Sequence, residues 1–312
     1  MPISNRARRW TQLGLLAAFA PAVMLATALS NEAIASSPAP PAGPALTVVS
    51  AGDPATAVDL TPVATVGATA NVTMRGVVIG ASDGPMGPDP FEETVDAALT
   101  AEVIEAFPDG GYTIVATLAS VVADPAESED SVSGLRSLNG LQGVPLTIAT
   151  GPDGAGRTVV APGTVLTADQ QAVVDALSGP DALYLNRRPA GPVGVGATWT
   201  VVQPSPTQDT IGTVVLSSVD GDAYQVDVSY TIDWSAITVV DPAYEGITLT
   251  GTGTGTATIR GSLTDPLVGT VDEHVRHDLV ASDGQATATS SYDVWSSEIS
   301  TPTGDPAVAD GA

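Results

Sequence analysis

From Gln225 to Trp234 the side chains take turns. Val226, Val228, Tyr230, Ile232 and Trp234 are apolar, whereas Gln225, Asp227, Ser229, Thr231 and Asp233 are polar. Successive side chains of a strand point to opposite faces, so strict alternation reads as a strand with one buried face and one wet face. Ile247 to Arg260 repeats the pattern, with threonine at every even position from Thr248 to Thr258. Val271 to Val280 and Ala286 to Ser296 continue it. Further strands are expected near Thr69 to Ile79, Thr94 to Ala106, Tyr112 to Val122, Pro145 to Thr150 and Arg157 to Val160. Asp83-Gly84, Asp109-Gly110-Gly111, Asp153-Gly154, Asp220-Gly221-Asp222 and Asp283-Gly284 punctuate these runs, and such turns tolerate the positive φ of tight hairpins. The expected fold is all-β, mainly antiparallel, with one short helix. Its two β lobes would form a curved sheet, a half-barrel or a sandwich.

Two segments invite a helix. Asp89-Pro90-Phe91-Glu92 has a cap, a first-turn proline and an acid three residues on. The alternation of Val95, Ala97, Leu99, Ala101 and Val103 with polar neighbours favours a strand of a hairpin instead. Ala168 to Leu177 is the expected helix. Thr167 and Gln170 form a capping box, and Gly179-Pro180 ends it.

The layout along the chain follows from composition. Residues 1–35 read as a signal peptide: Arg6, Arg8 and Arg9, an apolar run from Leu13 to Leu29, then Ala33-Ile34-Ala35 with cleavage before Ser36. The run is short for a retained membrane anchor. Arg8-Arg9 leaves the general and twin-arginine export routes both open. Residues 36–58 read as a linker rich in Pro and Ala, 59–165 as a first β lobe, and 166–190 as the helix and a connecting loop. Residues 191–300 read as a second β lobe and 301–312 as a disordered tail. The expected destination is outside the cell or associated with the cell envelope, with no stable membrane insertion after cleavage.

Charge and missing residue types exclude much chemistry. The net charge is −25, all ten basic residues are arginines, and there is no cysteine. So acidic a surface repels nucleic acid. Without cysteine there are no disulfides, thiolate metal sites or lipid-bearing cysteine. Without lysine there is no Schiff base. A Ser-His-Asp arrangement needs a histidine base, and only His274 and His277 exist, with no nucleophile-elbow motif beside them. Three apart on a strand, they diverge: His277 joins Val271, Val275 and Leu279 on the apolar face, and His274 joins the polar face. No cofactor is expected. A calcium reading falls on Asp220, Asp222 and Asp227, whose clustered oxygens suit a hard cation, although a hairpin turn explains the same residues. Carboxylates are numerous enough that an acid pair of glycosidase type stays open by count alone.

Two features stand out as candidate ligand-binding sites. Gly251, Gly253 and Gly255 share one strand face, which implies something close to the backbone: a neighbouring aromatic such as Trp234 or Tyr230, or a flat apolar ligand. Arg187-Arg188 is the adjacent basic pair of the mature chain. It suits internal carboxylates or an anionic ligand.

Pro189-Ala190-Gly191-Pro192-Val193-Gly194-Val195-Gly196-Ala197-Thr198-Trp199 follows the expected helix and leads into hairpins with a Val219-Asp220-Gly221-Asp222 turn. This Val-Gly-x-Gly-x-x-Trp pattern resembles an uncharacterised family of exported, β-rich bacterial proteins and lipoproteins. The resemblance covers roughly Leu60 to Ile299 and implies a freely secreted member, since the lipid-bearing cysteine is missing. It implies no catalytic residues. The leading functional expectation is a non-catalytic binding or envelope-associated module, holding an apolar small molecule or an envelope component in a cavity beside the glycines. The alternatives are an extracellular hydrolase using paired carboxylates or a bound cation, and a passive surface spacer.

Overall fold

The computed structural model describes residues 45–84, 87–124, 140–153, 158–167, 170, 171, 174, 187–204, 209–238, 248–284 and 286–303. The expected signal peptide, the first part of the linker and nearly all of the tail lie outside them. So does most of the expected helix. Gln170, Gln171 and Val174 are helical, and the capping box is formed: Thr167 N–H donates to Gln170 Oε1 at 2.8 Å, and Gln170 N–H donates to Thr167 Oγ1 at 3.2 Å.

Among the described residues twelve strands make one antiparallel sheet. In chain order they are β1 (Ala45–Ser50), β2 (Thr69–Gly84), β3 (Gly87–Ala106), β4 (Tyr112–Asp124), β5 (Pro145–Thr150) and β6 (Thr158–Val160). Then come β7 (Thr198–Pro204), β8 (Asp209–Asp220), β9 (Ala223–Thr238), β10 (Thr248–Ser262), β11 (Gly269–Ser282) and β12 (Thr287–Pro302). Their spatial order is β1-β7-β8-β9-β10-β11-β12-β2-β3-β4-β5-β6. Pairing of β12 with β2 welds the two groups of strands into a continuous layer. Every strand expected from alternation is present, including the hairpin strand after Asp89. One expectation is corrected. The stretch read as a tether up to Val58 contains β1, which pairs with β7 from Ala45↔Val202 to Ser50↔Thr198. Alternating Leu46, Val48 and β-branched neighbours override the surrounding prolines once an edge is free to pair.

The sheet curls. Leu146 on β5 and Tyr224 on β9 are far apart in strand order, yet they line one hollow. The apolar faces turn inward. Trp199, Leu216, Val226, Val228, Tyr230, Ile259 and Val275 belong to one buried cluster, and Ala70, Ala101, Val103 and Leu267 to another. The threonines of β10 and the Asp/Arg rows of β11 face outward.

Among the described residues the end strands do not pair with one another: β1 has only β7 as neighbour and β6 only β5. Two irregular segments cross the gap. Residues 51–68 run from β1 to β2, and residues 187–197 run into β7. They hold each other through Asp53 N–H to Val195 O (2.9 Å), Gly194 N–H to Ala51 O (2.8 Å) and the Val58↔Val193 bridge. Gly194 is required by the close approach, because a Cβ there would lie 2.6 Å from the carbonyl carbon of Asp53. Gly196 takes the turn at φ 82°, in the left-handed region that glycine tolerates. Trp199 is then sunk into the core, and its Nε1–H donates to Arg187 O at 3.1 Å. The Val193-to-Trp199 motif is thus the hinge piece of this crossing.

Candidate binding cavity

At the end of the sheet where β10 turns into β11, the concave face opens into a cavity of about 250 Å³. Its apolar wall includes Val72 and Leu99 on β2 and β3, Ile114 and Leu118 on β4, and Leu146 and Ile148 on β5. Ile259, Gly261, Leu267 and Val271 close the facing side, and Arg188, Tyr224 and Glu298 add polar groups. The mixture of an apolar wall with a few placed polar groups is the usual make-up of a small-molecule site.

Arg187 and Arg188 separate in role. Arg187 pairs with Asp153 at 3.0 Å, which anchors the crossing segment to the end of β5. Arg188 points to the cavity. Its Nη1 donates to Leu60 O at 3.2 Å, its Nη2 donates to the Tyr224 hydroxyl at 3.1 Å, and its guanidinium stands 5.8 Å from the centre of the Tyr224 ring. That last distance is within reach of a cation–π interaction. Gly261 makes room for this arrangement, because a Cβ there would lie 2.6 Å from Tyr224 Cζ.

The glycine stripe is filled from within the protein. Gly255 lies opposite Tyr230 in the β9–β10 register, and a Cβ on it would come within 2.6 Å of Tyr230 Cε2. His277 covers Gly253, with Nδ1 2.9 Å from the Cβ position, and Leu279 Cδ2 covers Gly251 at 2.6 Å. The expected cavity beside these glycines is therefore corrected. The aromatic-packing alternative occupies that space, and the hollow lies farther along β10, at Gly261. Trp234 packs edge-on against His277, centroids 6.0 Å apart.

Two inward polar residues lie near the stripe. Glu273 accepts hydrogen bonds from the Tyr230 hydroxyl and from the Ser296 hydroxyl (3.2 Å for the latter). Burial raises its carboxyl above the ordinary range, and the two hydrogen bonds oppose that rise. Sequence reasoning missed Glu273, although its phase with Val271, Val275 and His277 gives it away. His277 is fully buried, stacked on Tyr292 with centroids 4.9 Å apart. Among the described residues neither of its ring nitrogens has a hydrogen-bond partner. Burial lowers its pKa to about 4, against a smaller opposing pull from Asp278 and Asp293. His274 is on the outer face, stacked on Trp295 and bonded to Asp293 at 2.8 Å.

The acidic candidates do not converge. Asp220 and Asp222 flank the β8–β9 turn, where Gly221 has φ 57°. Asp227 is engaged by Ser217, by Gln225 (3.0 Å) and by Thr258 (3.1 Å), and these hydrogen bonds hold its carboxyl below the usual range. Among the described residues no group of three or more His, Asp or Glu side chains is placed to hold a metal ion.

No protein-family model and no curated protein matches this chain. Solved structures similar to it include porins. A mutant of Rh. blastica porin is 10% identical, covers 74% of this chain and 100% of its own, and has a TM-score of 0.22. Pseudomonas aeruginosa OpdR is 8% identical, covers 78% and 100%, and also scores 0.22. Because these neighbours are membrane porins, the expectation that the mature chain makes no stable membrane insertion is withdrawn. At such scores nothing about function or individual residues is carried over from them.

Proposed function

We propose that this chain is a non-catalytic cell-envelope protein that holds an apolar small molecule in the hollow of its curved sheet. The observation that carries the reading is the cavity itself: aliphatic side chains from four consecutive strands, β2 to β5, and residues at the β10–β11 turn line one unfilled hollow. A sheet that served only as a spacer would close such a gap with side chains, since interiors pack to crystal density. The signal-like N-terminus and the resemblance to exported β-rich proteins support an envelope location. At about 250 Å³ the hollow is near the small end for ligand sites.

The test uses the chain from Ser36 onward and an uncharged fluorescent probe such as N-phenyl-1-naphthylamine. Saturable, single-site binding is expected. Leu118→Trp should abolish it, because Leu118 is buried on the cavity wall and the indole would fill the space. A folded protein with no saturable binding refutes the proposal and leaves the spacer reading standing.

A further inference from the structure

We infer that the molecule held in the hollow is a single-chain aliphatic carboxylic acid whose head group is received by Arg188. This rests on the apolar-ligand reading above and adds the chemistry of the head. Five arginines lie among the described residues. Arg75 faces Asp96 at 3.8 Å, Arg187 faces Asp153 at 3.0 Å, Arg260 faces Asp272 at 3.4 Å, and Arg276 faces Asp293 at 3.2 Å. Arg188 differs from all four: its acceptors are a backbone carbonyl and a phenol, and no carboxylate pairs with it among the described residues. In a chain of net charge −25, acids are abundant. None of those described pairs with Arg188, which leaves a half-buried cation without a carboxylate partner in the wall of the cavity.

A guanidinium offers five N–H donors, and two are used, so three remain for a ligand. Withdrawing a cation from water without a counter-charge is unfavourable, and a carboxylate of the ligand would offset that cost with charge-assisted hydrogen bonds. Leu118, Ile148 and Leu99 supply the bed for the aliphatic chain. A cavity of this size suits one short chain and not a two-chain lipid. Glu298 also borders the hollow, but on β12, three strands from Tyr224 on β9. At ~4.8 Å per strand that is about 14 Å along the sheet. Glu298 also has a partner of its own. Arg260 lines the hollow as well, but its guanidinium is engaged by Asp272 and Gln225.

The experiment compares decanoate, decanol and decylamine on the unaltered protein by isothermal titration calorimetry. These share one chain and differ only in head. Decanoate should bind about tenfold tighter than decanol, as expected for hydrogen bonds to a charged group, and decylamine should be weakest. In Arg188→Gln, shown folded by circular dichroism, the preference for decanoate should vanish while decanol still binds. Equal binding of all three overturns the role of Arg188 and leaves the hollow as a general apolar site. Tightest binding of decylamine overturns it in favour of Glu298. Binding of none overturns the apolar-ligand reading itself.

Discussion

Tyr230 lies between two glycines, and they should respond to the same substitution with opposite signs. On the β8 side is Gly212 and on the β10 side Gly255, both directly opposite Tyr230 in register. The ring leans over Gly255. A Cβ on Gly255 would come within 2.6 Å of Cε2, whereas one on Gly212 would meet Tyr230 Cβ at an ordinary 3.7 Å. Replacing a strand glycine by alanine gains ~0.5–1 kcal/mol from reduced freedom of the unfolded chain. Gly212→Ala should keep that gain. Gly255→Ala must also push aside a buried ring, an overpacking cost of ~1–3 kcal/mol. Moving the ring also withdraws the phenol from Glu273, leaving a buried carboxyl short of a partner at a cost of ~1–3 kcal/mol. The net expectation is a loss of about 2–4 kcal/mol for Gly255→Ala against a small gain for Gly212→Ala. Urea unfolding midpoints are compared for Gly212→Ala and Gly255→Ala, and with Tyr230→Ala and Gly255→Ala/Tyr230→Ala they complete a double-mutant cycle, in which Gly255→Ala should cost much less once the ring is gone. If Gly255→Ala is as stable as the parent, the ring does not occupy the stripe and the packing argument is wrong.

Two further outcomes follow from buried groups and close approaches. The folded pKa of His277, about 4, lies below its ordinary 6.5. Between those values the unfolded chain binds the additional proton, so stability is full above pH 6.5 and drains as pH falls towards 4, by roughly 3 kcal/mol. The raised carboxyl of Glu273 works in the opposite sense: its contribution is present below pH 4.5 and is lost as pH rises. Urea midpoints measured from pH 7 to 4 should fall less steeply in His277→Phe, which keeps the stack on Tyr292; an unchanged slope would remove His277 from the account. Gly194→Ala would drive a Cβ into the backbone of Asp53, which cannot move like a side-chain tip. It should cost about 3 kcal/mol and open residues 51–58 to limited proteolysis, and an intact digestion pattern would show that the crossing tolerates separation.

What could be read from the chain follows the range of the physics involved. Alternation is local, so β9 to β12 are legible in the sequence, and the same phase places Glu273 on the inner face. β1 was hidden because five nearby prolines outweigh six residues of strand, and its pairing depends on an edge supplied by β7, some 150 positions later in the sequence. The cavity is a product of curvature, which no single strand encodes. It also depends on closure, and closure is non-local: Arg188 meets Leu60 across 128 positions, and Val195 N–H meets the Thr56 hydroxyl across 139. Such contacts leave only short local traces, here a pair of arginines and a glycine-rich run. The adjacent arginines were recognisable as unusual because the chain is otherwise so acidic. Their division of labour was not, because only the folded crossing places Asp153 beside one and the mouth of an apolar hollow beside the other.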